Sequence, residues 1–184
     1  MDKRENYIKR CIALPGDSLE IRNGEARING QPQEHVPGLQ YQHVVQTAAP
    51  FTQYALEKLG IREYSGNGSV YYMWITDDVA ERLRGMKNVT MVRRYYYAPN
   101  TDVFPQWDEP RWSQDNYGPI WIPKRGATVA LTPENLPLYE RIITAYEGHT
   151  LEQRDGVILI DGAPADSYTF GMDYYWMMGD NRHN

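Results

Sequence analysis

Apolar and polar residues alternate along the chain most clearly over residues 18–28. Leu19 and Ile21 fall on one face of a predicted strand, because successive side chains on a strand point to opposite sides. The dipeptide Asn23-Gly24 then separates this run from a second short alternating run. Asn-Gly in this setting is the strongest local signal of a two-residue turn, so the pattern predicts a β-hairpin over 18–28.

The same pattern returns later in the chain. Residues 148–164 align with residues 16–32 at a constant offset of 132, and eight of the 17 positions carry the same residue. Asp-Gly replaces Asn-Gly and also forms hairpin turns. Two unrelated hairpins of similar composition are the simpler alternative, but the coincidences favour an internal repeat. The upstream flanks align less well, since Glu140 stands where the first copy has Lys9.

Strand and helix patterns alternate in the middle of the chain. They predict strands over 39–47, 69–75 and 88–97, and helices over 55–60 and 77–84. Thr76 before two aspartates is typical of a capped helix start. A Pro- and Trp-rich connection follows over 99–123, and a loop of this length usually covers another surface or carries function. We therefore expect a compact α+β subdomain.

The segment after the connection carries two conflicting patterns. Residues 124–131 predict a strand, and Thr132-Pro133 is a helix-start signal. Apolar residues from Leu138 to Tyr146 then lie at helical spacing. The internal repeat would instead predict a strand here, and we predict a helix.

Residues 7–13 have β-strand character and lead into the turn signal Pro-Gly-Asp. On a strand, Lys9 shares one face with Cys11 and Ala13, so one ammonium group stands beside two small apolar groups. Apolar surroundings remove hydration and favour a neutral amine, which can accept a proton from a nucleophile. A lysine that caps the strand edge and reaches solvent is the simpler alternative for this segment alone.

The last residues combine an apolar run with a polar turn. Residues 174–178 are apolar and are followed by Gly-Asp-Asn-Arg, which brings a flexible backbone, acceptors, donors and a fixed charge together. Taken alone, this is a turn that closes a strand. Lys9-Arg10 with the following Leu-Pro-Gly-Asp, together with Met-Gly-Asp-Asn-Arg-x-Asn over 178–184, resembles two conserved boxes of the bacterial type I signal peptidases.

The resemblance implies a serine endopeptidase that uses a Ser/Lys dyad to remove signal peptides from secretory precursor proteins. It implies cleavage after small residues at the −3 and −1 positions. The enzyme would be held in the bacterial cytoplasmic membrane by an anchor absent from this chain, with its catalytic domain on the extracytoplasmic (periplasmic) face. Lys9 is then the general base. The active-site framework is Arg10, Gly16, Asp17, Gly179, Asp180, Asn181, Arg182 and Asn184.

The fold implied by the family is mainly β, with an antiparallel β catalytic core. Residues 1–33 and 124–184 would form part of this core, and residues 34–123 would be an inserted α+β cap subdomain.

Two departures from the family pattern concern the nucleophile and the second box. The family's serine lies in a Ser-Met-x-Pro-Thr segment upstream of the lysine box, whereas residues 1–6 contain no serine. The second box normally continues through Ser-x-Asp-Ser-Arg, but this sequence stops at Asn184. We therefore expect a fragment of a longer protein that is inactive alone.

Composition narrows the remaining possibilities. A net charge of −5 does not indicate a nucleic-acid surface, so the run of tyrosines over 95–97 is better explained by strand packing than by base stacking. The four histidines lack ligand spacing, so we predict no metal and no cofactor. Cys11, the single cysteine, is expected to be a small buried residue. No apolar run approaches the roughly 20 residues that span a bilayer.

Two alternatives stay open. One is a Ser/Lys self-cleaving repressor, which shares the dyad chemistry and would carry a DNA-binding segment upstream. The other is a non-catalytic extracytoplasmic binding module on the same scaffold. An upstream Ser-Met-x-Pro segment would decide for the enzyme.

Overall fold

The computed structural model describes residues 7–183 of the chain, and this part is mostly antiparallel β-structure, as the resemblance implied. Its strands are β1 (Arg10–Ala13), β2 (Ser18–Arg22), β3 (Glu25–Ile28), β4 (Gln31–Pro32), β5 (Tyr41–Thr47), β6 (Tyr64–Asn67), β7 (Val70–Ile75), β8 (Val89–Arg94), β9 (Tyr117–Trp121), β10 (Thr128–Ala130), β11 (Leu151–Arg154), β12 (Val157–Ile160), β13 (Ala163–Pro164), β14 (Ser167–Thr169) and β15 (Trp176–Met178). The helices are α1 (Gln53–Leu59), α2 (Asp77–Arg84) and α3 (Leu136–Arg141), and α3 continues into a π-helical turn, Ile142–Tyr146.

The first sheet has the strand order β4-β3-β2-β9 and confirms the hairpin predicted over 18–28. Asn23 and Gly24 have φ of 50° and 79°, and two successive positive φ angles are what this tight turn requires. Leu19 and Ile21 are buried in its core, against strand β9 on one side and β3 on the other.

The second sheet has the order β6-β7-β5-β8, and α1 and α2 cover its apolar face. Both helices start where a threonine caps them: Thr52 accepts a hydrogen bond from the N–H of Ala55, and Thr76 from that of Val79. The Thr76 start was predicted. β6 was missed, because the sequence Tyr-Ser-Gly-Asn has neither apolar alternation nor strong β propensity.

The third group of elements packs β10, β14, α3 and the meander β11-β12-β13 around one core. The segment after residue 131 is a helix, as predicted, but it begins at Leu136 rather than at Thr132-Pro133. Thr132 and Asn135 instead bond each other's backbone, which forms a turn before the helix.

Strand β9 lies inside the predicted Pro- and Trp-rich connection, yet it pairs with β2 of the first sheet. It was missed because Gly118-Pro119 interrupts its apolar pattern, and both residues are unfavourable in strand interiors. One strand of the proposed insertion 34–123 thus shares a sheet with residues 18–32, and the division into core and cap stays a prediction.

Candidate active site

The two boxes are brought together by a short antiparallel ribbon of β1 and β15. Arg10 pairs with Met178 in this ribbon, although 168 positions separate them in the sequence. The Arg10 guanidinium then reaches Asp180 through two hydrogen bonds, Nε to Oδ1 at 2.9 Å and Nη2 to Oδ2 at 2.8 Å. Hydrogen bonding from Arg10 lowers the pKa of Asp180. This two-pronged ion pair fixes the end of the second box against the start of the first.

The amine of Lys9 lies directly against Gly179. A Cβ built on Gly179 would lie 3.0 Å from the Nζ of Lys9 and 3.3 Å from the carbonyl oxygen of Asn181. Glycine at this position therefore leaves room for the amine. The Nζ atom also lies 5.7 Å from the centre of the Tyr7 ring. The structure thus places the predicted base beside the bend of the second box.

Two expectations for this segment are corrected. The strand predicted over 7–13 begins only at Arg10, so Lys9 precedes it and is exposed in the described chain. The register shifts between Cys11 and Ala13, which breaks the predicted alternation. Ile12 and Ala13 are both buried as a result, whereas Cys11 is exposed rather than buried.

Gly16 and Asp17 shape the turn after β1. The Asp17 carboxylate accepts a hydrogen bond from the Leu14 N–H at 2.8 Å with one oxygen and from the Asn29 side-chain amide at 2.8 Å with the other. Gly16 has a φ of 94° and donates its N–H to the carbonyl of Ile122. Gly16 and Asp17 therefore stabilise the turn after β1. The residue that contacts the Lys9 amine is Gly179.

The backbone after Gly179 runs alongside Gln40 at the start of the middle region. The N–H of Gln40 donates to the carbonyl of Asp180 at 2.8 Å, and the N–H of Arg182 donates to the carbonyl of Gln40 at 2.9 Å. We call residues 179–183 the bend segment. This segment is therefore held by Gln40, which lies outside both conserved boxes.

Side chains from both sides of the predicted boundary at residues 33 and 34 also bind the bend segment. The Asn181 amide donates to the Glu63 carboxylate at 3.0 Å, and the Arg182 Nη2 atom donates to the side-chain oxygen of Gln33 at 3.1 Å. Burial lowers the pKa of Arg182. Both framework residues thus connect the second box to its surroundings rather than to Lys9. The last predicted framework residue, Asn184, lies outside the described residues.

His183 and Asp115 form a buried pair that the sequence did not predict. The His183 Nε2 atom lies 2.8 Å from the Asp115 Oδ1 atom, and their side chains are 1% and 0% exposed. The N–H of Gln42 donates to the other ring nitrogen at 3.0 Å. The position of His183 directly after Gly-Asp-Asn-Arg was the only available signal, because Asp115 lies in an aperiodic loop.

Glu147 is a further functional candidate that the sequence did not predict. Its carboxylate accepts hydrogen bonds from the hydroxyls of Tyr168 and Tyr174 at 2.6 and 2.9 Å and from the N–H groups of Gly171 and Met172. Burial alone would raise the pKa of Glu147, but these hydrogen bonds lower it, and burial raises the pKa of both tyrosines. This carboxylate fixes the loop that leads into β15.

Neither a metal centre nor a membrane span is formed by the described part of the chain. Residues 7–183 contain no group of three or more histidine, cysteine or acidic side chains that could hold a metal ion. Among the same residues no helix is both long and apolar enough to cross a membrane.

A family model described as signal peptidase, peptidase S26, matches residues 1–115, which is more than half of the chain. The chain belongs to this family. The match gives it the general activity of a peptidase on precursors that bear signal peptides, in a family associated with membranes. The matched range contains Lys9 and Arg10 but not the bend segment, so it is the geometry that joins the second box to the first. No curated protein and no solved structure matches the chain.

Proposed function

We propose that Lys9 is the general base of a Ser/Lys signal peptidase and that the bend segment positions its amine. The observation that carries this proposal is the meeting of the two boxes: the Lys9 Nζ atom lies against Gly179, and Arg10 is bonded to Asp180. The family assignment supplies the reaction class. The 184 residues contain no Ser-Met-x-Pro segment, so the proposal assigns the nucleophilic serine to a part of the protein outside them.

In the first step, Lys9 accepts the proton of the serine hydroxyl while the serine oxygen attacks the scissile carbonyl carbon. The tetrahedral intermediate collapses when the protonated amine gives that proton to the leaving nitrogen of the mature protein. Water then hydrolyses the acyl-enzyme, with Lys9 accepting a proton from water and returning it to the serine oxygen. Each proton removed by the amine is thus returned within one cycle.

The base must be neutral to accept a proton, and a dry environment favours a neutral amine. Lys9 is exposed in the described chain. The proposal therefore requires the serine-bearing segment and the bound precursor to cover the amine. Arg10 is held by Asp180 and is not available to take the role of the base.

The substrate and the setting follow from the same family resemblance. We propose that the protein cleaves secretory precursors after small residues at the −3 and −1 positions, on the extracytoplasmic side of the membrane to which an anchor outside these residues holds it. We propose no metal, no cofactor and no nucleic-acid partner.

The test compares the full-length protein encoded by the gene with the 184-residue chain, using a precursor that has alanine at −3 and −1. We expect the full-length protein to release the signal peptide and the 184-residue chain to release none. Lys9→Met should abolish cleavage by the full-length protein, while Lys87→Met, which removes an exposed lysine of the middle region, should leave it unchanged.

Three outcomes would count against the proposal. Cleavage by the 184-residue chain alone would place the nucleophile inside it. Unchanged cleavage by Lys9→Met would remove Lys9 from the reaction. Binding of the precursor by the full-length protein without any cleavage would favour the non-catalytic binding module.

A further inference from the structure

The buried His183–Asp115 pair has a fixed hydrogen-bond polarity. The Gln42 N–H can only donate, so the Nδ1 atom that it reaches at 3.0 Å must accept and carries no proton. The proton of the neutral ring is then on Nε2, which donates to Asp115 at 2.8 Å. The His183 ring therefore accepts a hydrogen bond from the backbone of β5 and donates one to the Asp115 carboxylate.

Asp115 is itself held from several sides. Its Oδ2 atom accepts the N–H of Tyr97 at 2.7 Å, and its own carbonyl accepts the N–H of Gly24 at 2.9 Å. Tyr41 and Tyr97 pack edge-on against the His183 ring, with ring centres 5.7 and 5.1 Å away. The carboxylate thus lies where the first hairpin, the middle region and the bend segment meet.

His183 anchors one end of the bend segment, and Arg10 anchors the other through Asp180. Between these two anchors the backbone is bonded to Gln40. Gly179, which directly precedes Asp180, is the residue against which the Lys9 amine lies. Four residues of backbone thus connect His183 to the glycine beside the amine.

We propose that His183 and Asp115 are positioning residues of the peptidase: they fix the bend segment so that Gly179 and Asp180 hold the Lys9 amine in place. The proposal rests on the proposed function for its effect on catalysis. Neither residue contacts Lys9, and neither is assigned a catalytic step. A displacement of about 1 Å at a reacting group costs on the order of 100-fold in rate.

The first test uses the unmodified 184-residue chain and needs no activity. Long-range proton–nitrogen correlation of the histidine rings at neutral pH distinguishes the two neutral tautomers from the charged ring. We expect His183 to be the Nε2–H tautomer. A ring protonated at Nδ1, or at both nitrogens, would contradict the hydrogen-bond polarity and overturn the proposal.

The second test replaces His183. His183→Asn keeps an acceptor for the Gln42 N–H but has no group that reaches Asp115, whereas His183→Gln keeps a donor for Asp115 and gives up the acceptor. In the 184-residue chain we expect both to shift the amide signal of Gly179 and the side-chain signals of a labelled Lys9. The matched control is His149→Asn, which breaks an exposed pair between His149 and Asp161, 2.7 Å long, beside the meander β11-β12-β13 and should not shift these signals.

In the full-length protein we expect both His183 variants to lower kcat by about 10- to 100-fold and to change KM by much less, since they misplace the base rather than the substrate-binding groups. Asp115→Asn should behave similarly if it folds, because either orientation of the amide places its NH₂ group against a donor, the Tyr97 N–H or the His183 Nε2–H. His149→Asn should cleave at the normal rate.

The outcomes separate this proposal from the proposed function. If Lys9→Met leaves cleavage unchanged but His183→Asn still shifts the Gly179 and Lys9 signals, the catalytic assignment fails and the positioning contact stands. If Lys9→Met abolishes cleavage while both His183 variants have normal kcat and unshifted signals, the positioning role is overturned and the proposed function stands.

Discussion

Residues 16–32 and 148–164 fold into the same three-stranded meander, but the two copies have different surroundings. The register is equal at the offset of 132: Leu19 pairs with Ile28 as Leu151 pairs with Ile160. The third strand of each copy ends in proline, and it pairs with the second strand at equivalent positions. The similarity therefore extends from the sequence to the backbone, which supports an internal repeat.

The turns and their capping bonds agree as closely as the registers. Asn23 and Asp155, the first residues of the two equivalent turns, both have a φ of 50°. In each copy a side-chain oxygen of the second turn accepts a backbone N–H at 2.9 Å: Asn29 accepts that of Ser18, and Asp161 accepts that of Thr150. Local turn chemistry thus specifies the meander irrespective of what packs around it.

The difference lies on the outer edge of each first strand. β2 pairs with β9 and buries Ile21, whereas β11 has no strand on this edge among residues 7–183. Gln153 occupies the position equivalent to Ile21 and is exposed. Ile21 is packed into the core on one face of the four-stranded sheet, whereas the equivalent face of β11 presents Gln153 to solvent.

The flanks of the two copies differ as well. The first copy is preceded by β1 and Lys9, and the second by α3, a π-helical turn and Glu147. The flank of the second copy thus contributes no amine, but the Glu147 carboxylate in it fixes the loop that leads to β15. The flank of the first copy carries the proposed base, and the flank of the second holds the loop before the strand that pairs with β1.

Exchanging the edge residues should have the largest effect on stability. Ile21→Gln places an amide between β3 and β9 and removes apolar burial, so we expect the free energy of unfolding to fall by about 3 kcal/mol or more. The reverse exchange, Gln153→Ile, changes an exposed position and should stay within about 0.5 kcal/mol. Urea denaturation of both variants measures this. Equal effects would show that the two edges are equivalent after all.

Alanine at the two equivalent turn glycines should separate the copies by a smaller amount. Both Gly24 and Gly156 have positive φ, which costs alanine roughly 1–2 kcal/mol. A Cβ at Gly156 meets nothing within 4 Å, whereas a Cβ at Gly24 would lie 3.1 Å from the Oδ1 atom of Asp115. We therefore expect Gly24→Ala to destabilise more in urea denaturation, and in the full-length protein to lower kcat. If Gly24→Ala and Gly156→Ala have the same free energy of unfolding and the same kcat, a Cβ at Gly24 does not crowd Asp115.

The smallest expected difference between the two copies is their response to acid, because the second copy has Asp161 where the first has Asn29. Hydrogen bonds from the Thr150 N–H and the His149 ring lower the pKa of Asp161. A lowered folded-state pKa stabilises the fold above the unfolded-state pKa, and this contribution is lost as the pH falls below the ordinary value of 3.8. The protection of the Thr150 amide, which is its exchange rate relative to that of an unstructured peptide at the same pH, should therefore fall in acid.

Asp161→Asn is the matched control for this acid effect, because the first copy has Asn29 at the equivalent position, and an amide does not titrate. We expect its Thr150 amide to lose the acid dependence. An equal loss of Thr150 protection in acid in the variant would assign the effect to another group.

Turn chemistry made the hairpin at 18–28 predictable, a capping pattern made the start of α2 predictable, and two short motifs carried the resemblance to the family, because each depends on a few adjacent residues. β9 and β6 were not predictable, since glycine and proline weaken their local propensity and the neighbouring strands stabilise them. Lys9 and the residues after Gly179 were identified as candidates from short motifs. The Asp115–His183 contact was not, because it joins residues 68 positions apart with no periodic signal.

The closest test of the site itself is the rate of precursor cleavage by Gly179→Ala in the full-length protein. Gly179 does not have a positive φ, so alanine brings no backbone strain, and its Cβ would lie 3.0 Å from the Lys9 amine. Gly85→Ala is the control, since its nearest contact would be an ordinary 3.5 Å. We expect kcat to fall for Gly179→Ala, by up to about 100-fold where the amine moves by about 1 Å, and to stay unchanged for Gly85→Ala. A Gly179→Ala enzyme that cleaves at the normal rate would contradict the placement of the Lys9 amine at this bend.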